Sequence, residues 1–350
     1  MSEKVGKIDE RLLGDFITSH CGRPNKNISV GPGFGIDVSI VELPGGQSMA
    51  LTSDPLSLIP TLGLQESAWL SVHLMANDMA TTGFAPQYGQ FVLNLPATLS
   101  QSDFKIYWQY IHEYCAAIGV AITGGHTGFV EGQNSTIAGG GTFICIAPKE
   151  QLLATPKAQV GDSILITKGA AISSAAILAM SFPKMVTNKL GKAVFQEAEA
   201  SFQQTSSIKD ALIATGNPEE KNVTAMHDVT EGGVLGAIYE LATAANCGAE
   251  INEDLIPVGE VQAAVCQLFS LDPNHCIGAG AMLITCKKEQ VIKIKHRLAN
   301  ENIDCTEIGR LTAADKGILI DKAGIKTPMI YQSTDPYWEA FFGAYKKGWQ

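Results

Sequence analysis

The sequence predicts a mixed α/β (α+β) protein of two domains. Predicted strands alternate with helices from residue 36 to residue 148, and the alternation begins again after residue 162. Between the two runs lies TPKAQVGD, residues 155–162, which is rich in turn residues. A chain of 350 residues also exceeds the usual limit for one hydrophobic core. We therefore expect one domain over residues 1–155 and a second over residues 156–350.

The first half is expected to begin with an amphipathic helix within residues 1–20, since apolar side chains recur there at helical spacing. A helix over residues 65–82 is expected to end at Gly83, because glycine commonly terminates helices. The alternating or β-branched segments predict strands. The remaining elements of this half are strands at 36–43, 46–54 and 88–96, a helix at 101–118, a strand ending in a Gly124–Gly125 turn, and a strand pair or one bent strand at 135–148.

The second half repeats this order. A continuous apolar run, ILIT, predicts its first strand, and the helices are predicted from longer segments with helical spacing. The predicted strands are 164–167, 222–228, 251–258, 277–286 and 305–312, and the predicted helices are 173–180, a polar helical region from about 190 to 215, 230–246 and 289–302.

Composition excludes several classes of protein. The formal net charge of −10 and the pI of about 5.2 argue against nucleic-acid and anionic-membrane surfaces. The N-terminal sequence MSEKVGKIDE has no apolar core that would predict a signal peptide, and no segment is apolar enough to predict a membrane span. None of the eight cysteines forms a C-x-x-C pair. We expect a cytoplasmic protein with reduced thiols.

Four aspartates stand at the edges of apolar runs, in segments rich in Gly, Asn or Thr: Asp37, Asp54, Asp78 and Asp228. His126 takes the place of the acid in a fifth such segment, AITGGHTGF. Carboxylates at strand or helix ends can converge on Mg²⁺, which takes oxygen ligands and is usually shared with substrate phosphates. The alternative is that these are ordinary turn residues. For His126, a metal or phosphate contact and a role in the turn remain open.

The segment HDVTEGGVLGAIYEL, residues 227–241, predicts a strand that ends at Asp228 and a helix with Thr230 as its N-cap. Gly232 and Gly233 would then expose N–H groups to a phosphate at the helix N-terminus. The alternative is a helix start without a ligand. Lys168 follows a predicted strand, where a phosphate contact and a solvated lysine are both compatible with the sequence.

The order of TSDP, NDMATTGFAP, GGHT, LITKG and HDVTEGGVLGA resembles the aminoimidazole ribonucleotide (AIR) synthase-related superfamily over roughly residues 28–312. Among its members, the chain looks most similar to the hydrogenase maturation protein HypE. The resemblance implies a PurM-like fold of two α/β domains and a homodimer paired through N-terminal sheets. It also implies ATP and Mg²⁺ as cofactors, and an unknown small-molecule or carbamoyl-type substrate.

Carried over by position, the resemblance implies that Asp37, Asp54 and Asp78 bind the metal, with Asp54, Asp78 and His126 as the catalytic set. The implied cofactor-binding residues are Asp37, Asn77, Gly124, Gly125, Thr127, Lys168, Asp228, Gly232 and Gly233. The implied function is ATP-dependent activation of a carboxamide- or amide-type oxygen by phosphorylation.

Two departures from the family keep other functions open. HypE proteins act through a C-terminal cysteine, whereas this sequence ends in GAYKKGWQ and its last cysteine is Cys305. Most members place an acid where His126 stands, and imidazole is a poor ligand for Mg²⁺. The alternatives are a small-molecule kinase similar to thiamine-monophosphate kinase, against which the departure at His126 counts, and a non-catalytic nucleotide-binding assembly factor with a maturation partner protein, which the absent C-terminal cysteine motivates.

Overall fold

The computed structural model describes residues 6–8 and 10–350. Its first half contains a six-stranded sheet with the strand order β1-β2-β3-β6-β4-β5, in which only the pairing of β4 with β5 is parallel. The strands are β1 (Ile28–Val30), β2 (Ser39–Glu42), β3 (Gln47–Ser57), β4 (Tyr88–Pro96), β5 (Ala121–Val130) and β6 (Ile137–Pro148).

Helices cover one face of this sheet and leave the other open. The helices of this half are α1 (Glu10–Leu12), which continues as a π-helical turn over Leu13–Ile17, α2 (Leu64–Ala80) and α3 (Gln101–Ala117). Strand β4 shows the two faces, because Phe91, Leu93 and Leu95 are buried whereas Tyr88 and Val92 are exposed. The period of two follows from the pleat of a strand.

The second half contains a seven-stranded sheet with the order β13-β12-β9-β11-β7-β10-β8. All its pairings are antiparallel except that of β9 with β12. The strands are β7 (Ser163–Thr167), β8 (Ala225–Asp228), β9 (Cys247–Asn252), β10 (Met282–Cys286), β11 (Cys305–Ala313), β12 (Ile318–Lys322) and β13 (Ile325–Pro328).

Eight α-helices accompany the second sheet in the described chain. They are α4 (Ile172–Ser181), α5 (Pro183–Leu190), α6 (Lys192–Ala200), α7 (Ile208–Thr215), α8 (Gly233–Ala244), α9 (Glu260–Leu268), α10 (Val291–Ala299) and α11 (Pro336–Lys346). Short 3₁₀ turns lie at Pro44–Gly46, Thr155–Lys157, Ser201–Thr205, Pro218–Glu220, Glu253–Leu255, Lys288–Gln290 and Ala314–Lys316. No helix in the described part of the chain combines the length and apolar character needed to cross a bilayer.

The two sheets share one hydrophobic core. Phe91 and Phe143 of the first sheet and Met75 of α2 belong to the same buried cluster as Ile284 of β10 and Leu298 of α10. The halves are therefore packed against each other by apolar contact, and this packing fixes the position of α2 between them. The predicted division between residues 155 and 156 falls in the 3₁₀ turn that connects the halves, and we propose it as the domain boundary.

The predicted α/β class and two-sheet architecture are confirmed. Several predicted elements need correction. The strand predicted at 251–258 lies earlier, at β9, because residues 253–255 turn instead as 3₁₀. Of the two alternatives predicted for residues 135–148, the structure has the single strand, β6, which begins at Ile137, and β3 continues three residues beyond Asp54. The predicted N-terminal helix begins only at Glu10 within the described residues, and residues 1–5 and 9 of that prediction lie outside them.

The predicted turn at Gly124–Gly125 is wrong, because β5 runs straight through both glycines. The pairing of β5 with β4 shifts register at this point, where Gly89 faces Ile122 and Gln90 faces Gly124. Gly125 has φ +145°, and a Cβ there would overlap with the carbonyl oxygen of Phe91. Thr123 is thus the extra residue of a β-bulge, and Gly125 beside it makes a close backbone approach to Phe91; a sequence pattern does not distinguish this arrangement from a turn.

Gly125→Ala is expected to lower the free energy of unfolding by about 2–4 kcal/mol, because the new Cβ has neither a compatible φ nor space. Gly124→Ala is the matched control, since nothing lies within 4 Å of a Cβ at that position. It should change the free energy by less than about 1 kcal/mol. Urea unfolding of both variants measures the difference, and equal losses would contradict the close backbone approach at Gly125.

Candidate functional site

The four predicted aspartates meet where the two halves pack together. Asp37 precedes β2, Asp54 lies in β3, Asp78 lies in the last turn of α2, and Asp228 ends β8. Burial raises the pKa of Asp78 well above its usual range, and the negative charges of Asp228, Asp54 and Asp37 raise it further. Carboxylates interact in this way only when they lie close together.

The pKa values of Asp54 and Asp228, which form an acid cluster with Asp37 and Asp78, are raised as well. Burial is the main cause that raises the pKa of Asp54 to about 6. Burial, followed by the charge of Asp37, raises the pKa of Asp228 to about 7. Each raised pKa means that the charged carboxylate is less stable at this position than in water. The acid cluster therefore holds negative charge that the surrounding protein does not fully neutralise.

A hydrogen bond fixes Asp78 relative to the first sheet. The hydroxyl of Thr52 in β3 donates to Asp78 Oδ2 at 2.9 Å. Thr52 lies two residues before Asp54, so both side chains point to the same face of β3, toward α2. The carboxylates of Asp54 and Asp78 are therefore positioned together by one strand and the helix packed on it.

His227 connects the two halves beside the acid cluster. Its Nδ1 lies 2.8 Å from Asp37 Oδ2, and its Nε2 lies 3.1 Å from Glu240 Oε2 in α8. The side chain of His227 is only 1% exposed. Burial would lower the pKa of His227, but Asp37 and Glu240 outweigh that effect and raise it to about 10. The imidazole is thus a cation held between two carboxylates.

Glu240 joins this buried network to the N-terminal segment. Lys7 Nζ lies 3.0 Å from Glu240 Oε1. Burial would raise the pKa of Glu240, but Lys7 and His227 hold it at about 2. These contacts form a row of charges that alternate in sign. The row runs from Asp37 in the first half through His227 and Glu240 in the second half to Lys7 in the N-terminal segment.

The predicted start of α8 needs correction. The N-cap is Gly232, with φ +81°, and not Thr230. The N–H of Gly232 donates to Asp335 Oδ2 at 2.6 Å, and the N–H of Gly233 donates to the carbonyl of Thr230 at 3.2 Å. Gly232 and Gly233 therefore offer no free N–H group for the predicted phosphate contact, because both N–H groups already donate hydrogen bonds within the protein.

Asn77 and Lys168 bind protein groups in this structure. The amide of Asn77 donates to the carbonyl of Thr205 at 2.9 Å and accepts from the N–H of Ser207 at 2.7 Å. Lys168 Nζ donates to the carbonyl of Ser206 at 2.8 Å and lies 3.1 Å from Asp210 Oδ2. Both side chains therefore secure the segment before α7.

The structure does not bring His126 to the acid cluster of its own chain, and the same holds for its neighbours Gly124, Gly125 and Thr127. These four residues lie in β5, the edge strand of the first sheet, and His126 is exposed. Asp54, Gly141, Phe91 and Gly125 occupy one row across the sheet. Three strand spacings of about 4.8 Å therefore separate the two ends, or roughly 14 Å. This position does not support a catalytic role of His126 at the acid cluster of its own chain.

The acid cluster fits a metal ion that is shared with a ligand. Among the described residues, no three His, Cys, Asp or Glu side chains are grouped as a ready set of metal ligands. Mg²⁺ does not need such a set, because it retains waters and binds substrate phosphates. Asp228 Oδ2 is buried and receives no hydrogen bond from the described residues, so a carboxylate oxygen is free for a cation. Asp37, Asp54, Asp78 and Asp228 would supply such oxygens.

Sequence reasoning missed four residues of the site: Lys7, His227, Glu240 and Asp335. Glu240 carried a usable signal, because it is the only charged residue in the otherwise apolar helix GVLGAIYELATA. A charged group on such a helix is expected to have a buried partner. Asp335 precedes a proline in a capping pattern, and it does cap α11 through the N–H of Tyr337. Lys7 carried no local signal.

Comparison with known proteins places this arrangement in a family. The family model of the AIR synthase related protein, N-terminal domain, matches residues 35–147. The family model of the AIR synthase related protein, C-terminal domain, matches residues 159–322. The chain therefore belongs to the AIR synthase related family.

Individual relatives are similar over most of their length. A protein of Methanocaldococcus jannaschii named as a hydrogenase expression/formation protein is 24% identical over 319 residues, which are 90% of this chain and 91% of that protein. The carbamoyl dehydratase HypE of Bradyrhizobium diazoefficiens is 25% identical over 70% of this chain and 69% of its own.

Solved structures show the same fold. A chain of the HypE–HypF complex superposes with a TM-score of 0.71 at 18% identity, covering 92% of this chain and 99% of that chain. AaThiL complexed with AMPPCP and TMP superposes with a TM-score of 0.69 at 19% identity, covering 92% and 97%. The PurM-like fold expected from the sequence is confirmed by these neighbours.

Asp228→Asn is expected to stabilise the ligand-free protein. Because the pKa of Asp228 rises from 3.8 to about 7 on folding, the wild type loses stability as the pH rises between about 4 and 7. The variant lacks this loss, so its advantage should grow over that range and reach roughly 1–3 kcal/mol at pH 8. Urea unfolding at a series of pH values measures it. A stability difference that does not change with pH would contradict the assignment.

Proposed function

We propose that this protein is an ATP- and Mg²⁺-dependent enzyme that activates a carboxamide- or amide-type oxygen by phosphorylation. The observation that carries the proposal is the acid cluster, in which aspartates from both halves meet with raised pKa values and one buried, unpartnered carboxylate oxygen. Such a cluster is stabilised by a cation and, through it, by a polyphosphate. The net negative charge of the chain is compatible with ATP binding, because a bound cation would attract the phosphates at the site.

In this proposal, Asp37, Asp54 and Asp78 hold the metal from the first half, and Asp228 closes the site from the second half. Thr52 keeps Asp78 in place, and His227 keeps Asp37 in place. When bound, Mg²⁺ neutralises charge on the phosphoryl group during its transfer. The transfer would break the bond between the γ-phosphorus and the β,γ-bridging oxygen, form a bond from that phosphorus to the carboxamide oxygen, release ADP, and pass one proton from the amide nitrogen to solvent. The protein contributes chiefly position and electrostatic stabilisation.

The acceptor is inferred from the relatives. Carbamoyl dehydratases and hydrogenase expression/formation proteins are among the curated relatives, which favours a carboxamide-type group and a role in hydrogenase maturation. A thiamine-monophosphate kinase is also among the relatives, which favours a second candidate, a kinase for a phosphorylated small molecule. The HypE–HypF structure favours a maturation-factor partner and leaves a third candidate, a non-catalytic nucleotide-binding assembly factor. We also propose a cytoplasmic location, for which the eight free cysteines offer support.

The first test is calorimetric titration of ATP with and without Mg²⁺. The wild type should bind ATP only with Mg²⁺, and Asp78→Asn should weaken the binding at least ~10-fold, because it removes one charge that holds the cation. Asp315→Asn is the matched control, since Asp315 is an exposed carboxylate in a 3₁₀ turn of the second half. ATP binding that is insensitive to Mg²⁺ or to Asp78→Asn would contradict the proposal.

Turnover then separates the three candidates. ADP that forms only with carboxamides supports the first, and ADP that forms only with thiamine monophosphate or a similar phosphorylated acceptor supports the kinase. Mg²⁺-dependent ATP binding without ADP formation, together with a stable complex with a partner protein, supports the assembly factor.

We further propose that the protein is a homodimer paired through the open face of the first sheet. Tyr88 and Val92 of β4 and Ile146 of β6 are exposed on this face. Val92→Glu should place a charge in the interface and shift the protein to a monomer in sedimentation equilibrium. Ile292→Glu is the control, because Ile292 is 81% exposed on α10, outside the first sheet. A monomeric wild type, or a dimer that Val92→Glu leaves intact, would contradict this interface.

A further inference from the structure

Lys7 brings a positive charge to the acid cluster from the N-terminal segment. Its Nζ lies 3.0 and 3.2 Å from the two carboxylate oxygens of Glu240 and 3.0 Å from Thr230 Oγ1. The side chain of Lys7 is 45% exposed, and the partial loss of water around its amine would lower its pKa, but the charges of Glu240, Asp228 and Asp37 raise the pKa, so the amine stays protonated. Lys7 also acts on Asp54, whose pKa it lowers. Its charge is therefore felt by carboxylates from both halves of the protein.

The backbone around Lys7 is seated closely against the second half. The N–H of Lys7 donates to Glu231 Oε2 at 2.8 Å, and Trp338 Nε1 donates to the other oxygen, Oε1, at 3.2 Å. Gly6 has φ +116°, and a Cβ there would lie 2.8 Å from Glu231 Oε2 and 3.4 Å from the Trp338 ring. The segment is held by backbone and side-chain contacts together, so the ammonium has a defined position.

We propose that Lys7 makes cation binding at the acid cluster conditional on the nucleotide, by repelling free divalent ions and attracting the triphosphate of MgATP. The inference rests on the proposed nucleotide site. A fixed ammonium close to the aspartates opposes a second cation placed among them, and a bound polyphosphate reverses the sign of that interaction. The buried, unpartnered Oδ2 of Asp228 shows that the cluster keeps an open cation ligand even with Lys7 in place.

Two affinities of Lys7→Met test the inference. Titration of Mn²⁺ alone, followed by electron paramagnetic resonance of the free ion, should show binding at least ~10-fold tighter than to the wild type. Calorimetric titration of MgATP should show binding at least ~10-fold weaker. These opposite changes form a signature that general loss of structure cannot produce. Lys7→Arg should retain both wild-type affinities, and Lys105→Met, at an exposed position of α3, is the matched control.

Glu240 provides the second test, because Lys7→Met leaves this carboxylate without its lysine. If Lys7 were only a partner for Glu240, the double variant Lys7→Met/Glu240→Gln would regain wild-type affinity for MgATP. We expect the double variant to bind MgATP as weakly as the single variant does. Recovery in the double variant would overturn the inference.

Other outcomes are also decisive. Unchanged affinities in Lys7→Met, or a loss of both, would overturn the role of Lys7 and leave the proposed function standing if the wild type binds MgATP. A wild type that binds no MgATP would overturn the proposed function itself. Thermal unfolding of each variant verifies that the fold is intact.

Discussion

A buried imidazolium between two carboxylates is the interaction on which the arrangement of this site depends. His227 at the end of β8 contacts Asp37 from the first half and Glu240 from α8. Charges are costly to remove from water unless each has a partner, and removing one member of a buried pair typically costs about 3–5 kcal/mol. The contact of Asp37 with His227 therefore favours this packing of the two halves, in addition to their shared apolar core. The next residue, Asp228, then points into the same region.

The remaining acids are placed by packing. Asp54 and Thr52 lie on one face of β3, and α2 rests on that face with Asp78 in its last turn. A negative charge at the C-terminal end of a helix is unfavourable because of the helix dipole. This cost adds to the mutual repulsion of the aspartates. The site thus gives up stability in its ligand-free form, which is typical of positions that are kept for binding and not for folding.

Much of this could be predicted from the sequence. The two-sheet α/β architecture and the four aspartates follow from local patterns, because polar residues at the ends of apolar runs lie at the edges of the packed elements. The Gly124–Gly125 segment could not be assigned correctly, because a turn and a β-bulge use the same residues. Lys168 and Asn77 have their partners more than 30 residues away along the chain. The contact of Lys7 with Glu240 spans 233 residues, and no local pattern encodes such a pair.

The most direct test of the proposed metal site is a search for a bound ion at the acid cluster. Crystals grown with Mn²⁺ and a non-hydrolysable ATP analogue, and measured at a wavelength where manganese scatters anomalously, would show its position. If the acid cluster binds the metal, an anomalous peak should lie within reach of oxygens of Asp37, Asp54 or Asp78 and face Asp228, with the phosphates of the analogue completing the coordination. A peak elsewhere in the protein, or a bound analogue whose phosphates lie away from the acid cluster, would contradict it.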